Sequence, residues 1–333
     1  MNSFGRMFRI HIFGESHGPS VGITIDCCPA GIAITEADFL PDLQRRKPGA
    51  AGTTPRQEED MPEIISGMFQ NKSTGAPITI IFRNNNTRST DYEALRDTPR
   101  PGHADFVLHE KYNGYNDYRG GGHSSGRLTL ALVAAGVVAK KILSHVNINA
   151  QLVEAGGNRD IEAAIAKAVE EQDSIGGVVE CRALGLPVGL GEPFFDSVES
   201  VISHLAFSIP AIKGVEFGSG MLAARMKGSE HNDAIIDAQG TTKTNHAGGI
   251  NGGITNGNEL VFRIAVKPTS STPKQQETWN NKTQSVEAFA VKGRHDLCIA
   301  LRVPVVVEAI AAIALADLSM IYATQRSMAG NKL

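Results

Sequence analysis

Two long segments that are apolar on every side constrain the fold of this chain more than any other feature. The first runs from about residue 125 to residue 143, and the second begins at Pro304 and continues to about Gln325. A surface helix has a polar face, so helices surrounded by leucine, valine and alanine must be buried all round. Each follows a loop that carries arginine and histidine, which suggests two similar halves whose helices are covered by sheets.

The other predicted elements are short strands and amphipathic helices. A capping box of Thr35 and Asp38 predicts a short helix that ends near Arg45, and further helices are expected after Asp160 and Ser197. Apolar alternation predicts strands near residues 7–13, 21–27, 78–82, 178–183, 213–217 and 259–266. Because strands do not alternate regularly with amphipathic helices, a doubly wound parallel sheet is not expected.

The loop before the first buried helix carries the strongest functional signal. It reads Arg119-Gly-Gly-Gly-His123-Ser124-Ser125-Gly-Arg127. Glycines allow positive φ and a close backbone approach, so their N–H groups can surround an anion. Ser124 or Ser125 is expected to cap the helix, whose positive end would face that anion. The spacing is not that of a P-loop, so the loop predicts a phosphate or carboxylate site; an ordinary glycine turn with solvated arginines is the alternative.

Positive charge is concentrated in one part of the chain. The net charge of −3 argues against a general polyanion binder, yet nine arginines lie between Arg45 and Arg127. Such clustering suits a small polyanionic ligand. The cysteines lack zinc-finger or disulfide-framework spacing, and no metal site is expected. Without a secretory pattern or a run of 18 apolar residues, the chain is expected to be soluble and cytosolic.

Two histidines lie in loops rich in glycine and proline. His17 belongs to Gly14-Glu15-Ser16-His17-Gly18-Pro19, and His103 belongs to Arg100-Pro-Gly-His103-Ala-Asp105. Imidazole exchanges protons near neutral pH, although a structural role is the alternative for either ring alone. Guanidinium groups bind carboxylate and phosphate oxygens in pairs, so the arginines named next are candidate ligands of a multiply charged substrate. They are Arg46, Arg100, Arg127 and Arg294.

Six motifs, in order over nearly the whole chain, together resemble chorismate synthase. Besides the glycine loop and the two histidine loops, they are Asn245-His-Ala-Gly-Gly-Ile250, Lys267-Pro-Thr-Ser-Ser271 and Gly293-Arg294-His295-Asp296. The resemblance implies a lyase of the shikimate pathway, the route to the aromatic amino acids. Such an enzyme converts 5-enolpyruvylshikimate 3-phosphate to chorismate and phosphate by a 1,4-anti elimination. It requires reduced FMN without net redox change, and NADPH is a candidate reductant for the flavin.

The resemblance also implies roles for individual residues. His17 matches the histidine that protonates the departing phosphate, His103 the one that keeps the reduced flavin protonated, and Asp296 the carboxylate implicated in removing the substrate proton. The implied substrate ligands are Ser16, Arg46, Arg100, Arg127 and Arg294. The implied flavin contacts are His123, Ser124, Ser125, Ala211, Gly252, Lys267, Pro268, Thr269, Ser270, Ser271 and Arg294.

The fold implied by the resemblance is α+β, a β-α-β sandwich in which two antiparallel sheets enclose buried helices, with an internal pseudo-repeat. The whole chain, residues 1–333, would form one domain and assemble as a homotetramer. Two positions depart from the pattern of many members. His123 and Gly52 each stand where an arginine is common, and Arg56 is a candidate to compensate for the second change.

Two other functions compete with this interpretation. Tyr112, Tyr115 and Tyr118 alternate with Lys111 and Arg119, as in a stacking surface for RNA. The negative net charge argues against that reading, and no nucleic-acid or membrane partner is expected. The other competitor is a flavin oxidoreductase with net electron transfer, which stoichiometric oxidation of NAD(P)H would identify.

Overall fold

The computed structural model describes residues 2–49, 52–53, 59–85, 97–291 and 296–328. The strands of its first half are β1 (Ser3–Phe4), β2 (Arg9–Gly14), β3 (Ser20–Asp26), β4 (Glu63–Ser66), β5 (Met68–Phe69), β6 (Lys72–Ser73) and β7 (Ile78–Arg83). Those of its second half are β8 (Asn147–Ala155), β9 (Gly177–Leu184), β10 (Ile212–Phe217), β11 (Ile250–Asn251), β12 (Ile254–Thr255), β13 (Leu260–Val266), β14 (Gln276–Asn280) and β15 (Ser285–Phe289).

The α-helices connect and separate these strands. They are α1 (Leu40–Arg46), α2 (Asp105–Lys111), α3 (Thr129–Ile142), α4 (Ile161–Glu171), α5 (Val198–Ala206), α6 (Gly228–His231) and α7 (Pro304–Met328). Local sequence explains several boundaries. Thr35 and Asp38 form the expected capping box before α1, while the Asp160 and Ser197 side chains cap α4 and α5. The predicted helix starts are therefore confirmed.

Two antiparallel sheets enclose the central helices. The first has the strand order β1-β2-β3-β7-β4, and the second has the order β10-β13-β9-β8. Helix α3 packs on β2, β3 and β7 of the first sheet, α7 packs on β8 and β9 of the second, and the two helices pack on each other. Each half of the chain thus supplies one sheet and one central helix. This arrangement confirms the predicted α+β sandwich.

Burial of the central helices is nearly complete. Every residue of α3 from Thr129 to Ala139 is buried, as is every residue of α7 from Val305 to Leu318. By length and composition α7 would also suit a membrane, with a mean hydropathy of 2.0 over its most apolar window, but 78% of that window is buried inside the fold. The apolar character of α7 is therefore accounted for by the protein core.

The two central helices approach each other most closely at Gly136. A Cβ atom at this position would lie only 2.5 Å from Ala309 Cα. Real side chains essentially never come this close, so glycine is required for the observed helix separation. Because Gly136 belongs to α3 and Ala309 to α7, this contact connects the two sheet-and-helix halves of the fold.

Substituting Gly136 with alanine is expected to destabilise the protein despite the better helix propensity of alanine. The added methyl group must push α3 and α7 apart, which in a well-packed core costs about 1–3 kcal/mol. Denaturant unfolding of Gly136→Ala measures this cost. Gly228→Ala is the matched control, because a Cβ there meets nothing within 4 Å. A Gly136→Ala protein as stable as this control would contradict the packing argument.

Two buried carboxylates of α7 tie the layers together. Glu308, 2% exposed, accepts hydrogen bonds from Arg45 Nη2 at 2.6 Å, Lys140 Nζ at 2.9 Å and the Ala150 amide at 3.0 Å. The network joins α7 to α1, α3 and β8. The Asp317 carboxylate accepts hydrogen bonds from three consecutive backbone N–H groups near the N-terminus, those of Arg6, Met7 and Phe8.

Within the described residues, the sequence patterns located five of the seven α-helices and six of the fifteen strands. Strands β2, β3, β7, β9, β10 and β13 all lie where alternation predicts them. Helices α2 and α6 and the short strands β1, β4, β5, β6, β11 and β12 were not predicted. Strand β8 and the β14–β15 hairpin were also missed. Residues 147–151 of β8 do alternate between exposed polar and buried apolar positions, so this strand carried the same signal as the predicted ones. Strand β14 is polar apart from Trp279, and its pairing with β15 determines where the hairpin forms.

Candidate functional site

The loop that carries the first candidate histidine lies between β2 and β3, packed on the glycine loop. Ser16 and His17 are only 3% and 6% exposed. The Ser16 N–H donates a hydrogen bond to Gly122 O at 3.1 Å. Gly120 has a φ of +58°, and a Cβ atom there would lie 2.5 Å from His17 Nδ1. Only glycine therefore allows the loop to lie directly against this imidazole ring.

The second candidate histidine lies beside the next glycine. A Cβ atom on Gly121 would be 3.7 Å from His103 Nε2. The opposite nitrogen, Nδ1, lies 2.7 Å from Asp105 Oδ1. Two residues predicted from separate motifs thus lie next to consecutive glycines of the same loop, which gives the sequence-predicted site a common centre.

The serines and the histidine of the glycine loop hold its shape. Ser124 Oγ donates to Gly121 O at 2.8 Å, and Ser125 Oγ accepts from the Arg127 N–H at 3.3 Å. Ser125 thus caps the short 3-10 turn Gly126–Leu128 that leads into α3, whereas α3 itself begins after Leu128 without a side-chain cap. His123 is exposed; its Nδ1 lies 2.7 Å from Gly14 O and its Nε2 lies 3.2 Å from the Asn2 side chain. The imidazole thus ties the glycine loop to the end of β2, a role that does not need the arginine common at this position.

Arg46 and Arg127, both predicted substrate ligands, meet at a buried carboxylate. Asp60, 7% exposed, accepts from Arg127 Nη1 at 2.9 Å and forms a longer ion pair with Arg46 Nη1 at 3.8 Å. Arg46 also donates to Gly126 O at 2.9 Å and to Thr129 Oγ1 at 2.8 Å, at the start of the buried helix. Asp60 therefore compensates charge on two guanidinium groups that are held at defined positions.

Asn84, the first residue after β7, connects Arg127 to the loop of His17. Its Oδ1 accepts from Arg127 Nε at 2.6 Å, while its Nδ2 donates to Glu15 O at 3.1 Å and Gly18 O at 2.7 Å. The sequence analysis assigned no site role to Asn84 or Asp60. The available signals were the position of Asn84 directly after a strand and of Asp60 at the end of an acidic run.

Asp296 lies next to the arginine cluster through Arg302. Arg302 Nη1 donates to Asp296 Oδ2 at 3.0 Å, and its Nε donates to Arg46 O at 2.9 Å. Gly52 O accepts from the Leu297 N–H at 2.8 Å. Gly52 has a φ of +84°, and a Cβ there would lie 3.0 Å from Ile165 Cγ2. An arginine at position 52 would be strained in this conformation.

The second candidate anion site joins the loop of His103. Arg100 Nη1 donates to Ser271 Oγ at 3.2 Å, and Ser270 Oγ donates to Gly102 O at 2.8 Å. Lys267 Nζ in turn donates to Ser270 Oγ at 2.7 Å, and its N–H donates to Ala211 O at 2.9 Å. Burial and the nearby Lys213 lower the pKa of Lys267. The segment from Lys267 to Ser271, including Pro268, is therefore continuous with the site.

One predicted flavin ligand, Gly252, is not joined to this cluster. Gly252 lies in the turn between β11 and β12, where the neighbouring Gly253 O accepts from the Val198 N–H at the start of α5. That turn lies beyond the Leu260 end of β13, whereas Lys267 follows its Val266 end. The seven residues of β13 span about 20 Å, so Gly252 and Lys267 of the same chain lie near opposite ends of this strand. Arg294, together with Arg56, lies outside the described residues.

The electrostatics suit an anionic ligand that must also exchange protons. Arg46 and Arg100 are 5% and 8% exposed, so little water competes with a ligand for their charge. Each guanidinium has a carboxylate partner, Asp60 or Asp105, which limits the cost of its burial. Two imidazole rings lie in the same site. No group of acidic, cysteine and histidine residues able to hold a metal ion occurs within the described ranges.

Comparison with known proteins gives one consistent result. The family model described as chorismate synthase matches residues 8–320. A chorismate synthase from Chitinophaga pinensis is 69% identical, over 96% of this chain and 97% of its own length, and one from Dehalococcoides mccartyi is 46% identical over 96% of each chain. A solved structure, described as the crystal structure of chorismate synthase, superposes with a TM-score of 0.75 at 28% identity, covering 96% of this chain and 93% of its own. The chain belongs to the chorismate synthase family.

Proposed function

We propose that this protein converts 5-enolpyruvylshikimate 3-phosphate to chorismate and inorganic phosphate, using bound reduced FMN. The observation that carries the proposal is the position of His17 and His103 beside consecutive residues of the glycine loop, close to buried arginines. The substrate carries two carboxylates and one phosphate, which match guanidinium donors. The product is a precursor of the aromatic amino acids, and the enzyme is a carbon–oxygen lyase.

The residues of the second anion site fit a flavin phosphate. Lys267 supplies an ammonium group, and the next residues supply three hydroxyl groups, those of Thr269, Ser270 and Ser271. Thr269 Oγ1 is buried and has no hydrogen-bond partner among the described residues, which an incoming oxyanion would correct. When bound, reduced FMN supplies transient electron density to the substrate. The proposed ligands are this segment with Ala211, His123, Ser124, Ser125, Gly252 and Arg294.

The chain's own residues then hold the substrate and handle protons. Arg46, Arg100, Arg127 and Arg294, with Ser16, bind the carboxylates and the phosphate. His17 donates a proton to the phosphate oxygen as that group leaves, which avoids release of a more highly charged anion. His103 holds the proton balance of the cofactor, and Asp296 takes part in removing the substrate proton. Burial of Ser16, His17, Arg46 and Arg100 excludes water from the reacting atoms.

Assembly with further copies, as a homotetramer, is part of the proposal. The separation of Gly252 from Lys267 within one chain supports a site to which a second copy contributes. Large apolar side chains are also exposed in the second half of the chain, and burying them would favour association. They are Phe194, Phe195, Phe207, Met221, Leu222, Ile235 and Ile236. We further propose a single domain in the cytoplasm, with NADPH as a candidate flavin reductant.

An anaerobic assay with chemically reduced FMN tests the proposed function. The wild-type protein should release chorismate and phosphate in equal amounts, without net oxidation of the flavin. Chorismate is measured by its absorbance. Stoichiometric consumption of NAD(P)H with a reduced product would instead identify an oxidoreductase. Tight, salt-sensitive binding of oligonucleotides without turnover would favour the RNA-binding alternative.

A further inference from the structure

Asp105, the first residue of α2, directly contacts one of the candidate catalytic histidines. Its carboxylate is 11% exposed and lies 2.7 Å from His103 Nδ1. Arg100 donates to both of its oxygens, through Nε at 2.8 Å and Nη2 at 2.9 Å. Burial alone would raise the pKa of Asp105, but these contacts with Arg100 and His103 hold it well below its ordinary value. Asp105 is therefore an ionised carboxylate at neutral pH.

The contacts of Nδ1 determine which ring nitrogen of His103 carries the proton. An unprotonated Nδ1 would direct its lone pair at a carboxylate oxygen only 2.7 Å away, which is repulsive. A protonated Nδ1 donates a short, charge-assisted hydrogen bond to the same oxygen. Arg100 Nη2 also lies 3.1 Å from Nδ1, but it already donates a hydrogen bond to Asp105 Oδ1 at 2.9 Å. It therefore does not change the preference for a proton on Nδ1. The neutral ring is therefore protonated at Nδ1.

The other ring nitrogen points toward the centre of the site. His103 Nε2 lies on the side of Gly121, at 3.7 Å from the position of a Cβ on that glycine, and Ser124 Oγ is 3.8 Å from the same position. With Nδ1 occupied by Asp105, only Nε2 is left to accept or release a proton. Any proton transfer by His103 then takes place at the glycine loop.

We propose that Asp105 is a positioning residue that keeps His103 in the Nδ1–H tautomer and so directs its exchangeable site, Nε2, toward the glycine loop. The inference rests on the proposed function, because it gives His103 a proton to exchange in the ligand site. The arrangement is chemically the same as that of a carboxylate orienting the histidine of a proton-transfer pair.

Nitrogen-15 NMR of histidine-labelled, ligand-free protein tests the tautomer directly. Spectra are collected at rising pH until the ring is neutral, and His103→Gln identifies the His103 signals by their loss. The wild type should show a pyrrole-type Nδ1 and a pyridine-type Nε2. Asp105→Asn should reverse the two types, because an amide can donate to Nδ1, and should lower kcat by about 10- to 100-fold with little change in KM.

Two further variants separate positioning from folding. Asp105→Glu keeps the charge and should restore the wild-type nitrogen pattern and part of kcat. Asp117→Asn removes another aspartate–arginine pair, Asp117 with Arg119, and should leave the His103 pattern unchanged. A pyridine-type Nδ1 in the wild type overturns the inference, as does an unchanged pattern in Asp105→Asn. If Asp105→Asn does not fold, the nitrogen pattern of His103 in the wild type alone tests the inference. Absence of chorismate formation by the wild type would refute the function and leave this readout intact.

Discussion

Replacing His17 with alanine should slow chorismate formation by about 10²- to 10⁴-fold, the usual contribution of a positioned general acid. The arginines proposed to bind the substrate anions are unchanged in this variant, so substrate affinity should change much less than kcat. Rates of chorismate and phosphate release under anaerobic conditions, with chemically reduced FMN, measure the first effect. Isothermal titration with the substrate measures the second.

The loss must be separated from a general effect of removing an imidazole. His145 lies exposed in the loop between α3 and β8, and His145→Ala should retain wild-type rates. Thermal unfolding should show that His17→Ala is folded, because the imidazole ring packs against Gly120, which has no side chain to lose a packing partner. His103→Ala should also lose most activity. If both His17→Ala and His103→Ala keep near-normal rates, the proton-transfer roles assigned here are wrong.

Loss of the Glu308 carboxylate is the stability change expected to be largest. Glu308→Ala removes the shared partner of Arg45 and Lys140 and leaves the buried Ala150 N–H without an acceptor. Breaking a fully buried ion pair costs about 3–5 kcal/mol; because Arg45 and Lys140 are 43% and 27% exposed, we expect about 2–3 kcal/mol here. Denaturant unfolding of the variant measures this cost. Glu63→Ala, which removes an exposed pair with Arg83, should cause no measurable change.

The same carboxylate gives the stability a dependence on pH. Burial would raise the pKa of Glu308, but Arg45 and Lys140 outweigh burial and lower it. An acid whose pKa is lower in the folded state stabilises the protein above its unfolded pKa, about 4.3, and loses this effect as the pH falls through the folded value. The stability difference between wild type and Glu308→Gln should therefore shrink below about pH 4. A difference independent of pH would exclude this linkage.

The fold was largely predictable because its central elements have unusual composition. Helices α3 and α7 could not be placed at a surface, so their burial followed from hydrophobicity, whereas the sandwich of two antiparallel sheets was implied by the family resemblance. Capping residues then gave the starts of α4 and α5. The β14–β15 hairpin was not predicted because β14 is polar apart from Trp279. Strand β8 was missed although its residues 147–151 alternate between exposed and buried positions.

The site was predictable in its chemistry but not in its connections. Glycine, histidine and arginine motifs identified the groups that meet around Gly120 and Gly121. Asp60 and Asn84 were missed because a single aspartate or asparagine has many ordinary uses, and only the folded chain places them on Arg127. The tether made by His123 was also unpredictable, since it depends on the position of Gly14 relative to a loop more than 100 residues away.

The contact of Gly136 with Ala309 has a consequence for how catalytic competence arises during folding. Each sheet covers only one side of its own helix, and the other side is covered by the helix of the opposite half. Neither half can bury its apolar surface alone, and the proposed site residues come from both. Closing such distant contacts is entropically costly and slow. We therefore expect binding of the substrate to appear in a single late step of refolding, together with global protection of amide hydrogens from exchange.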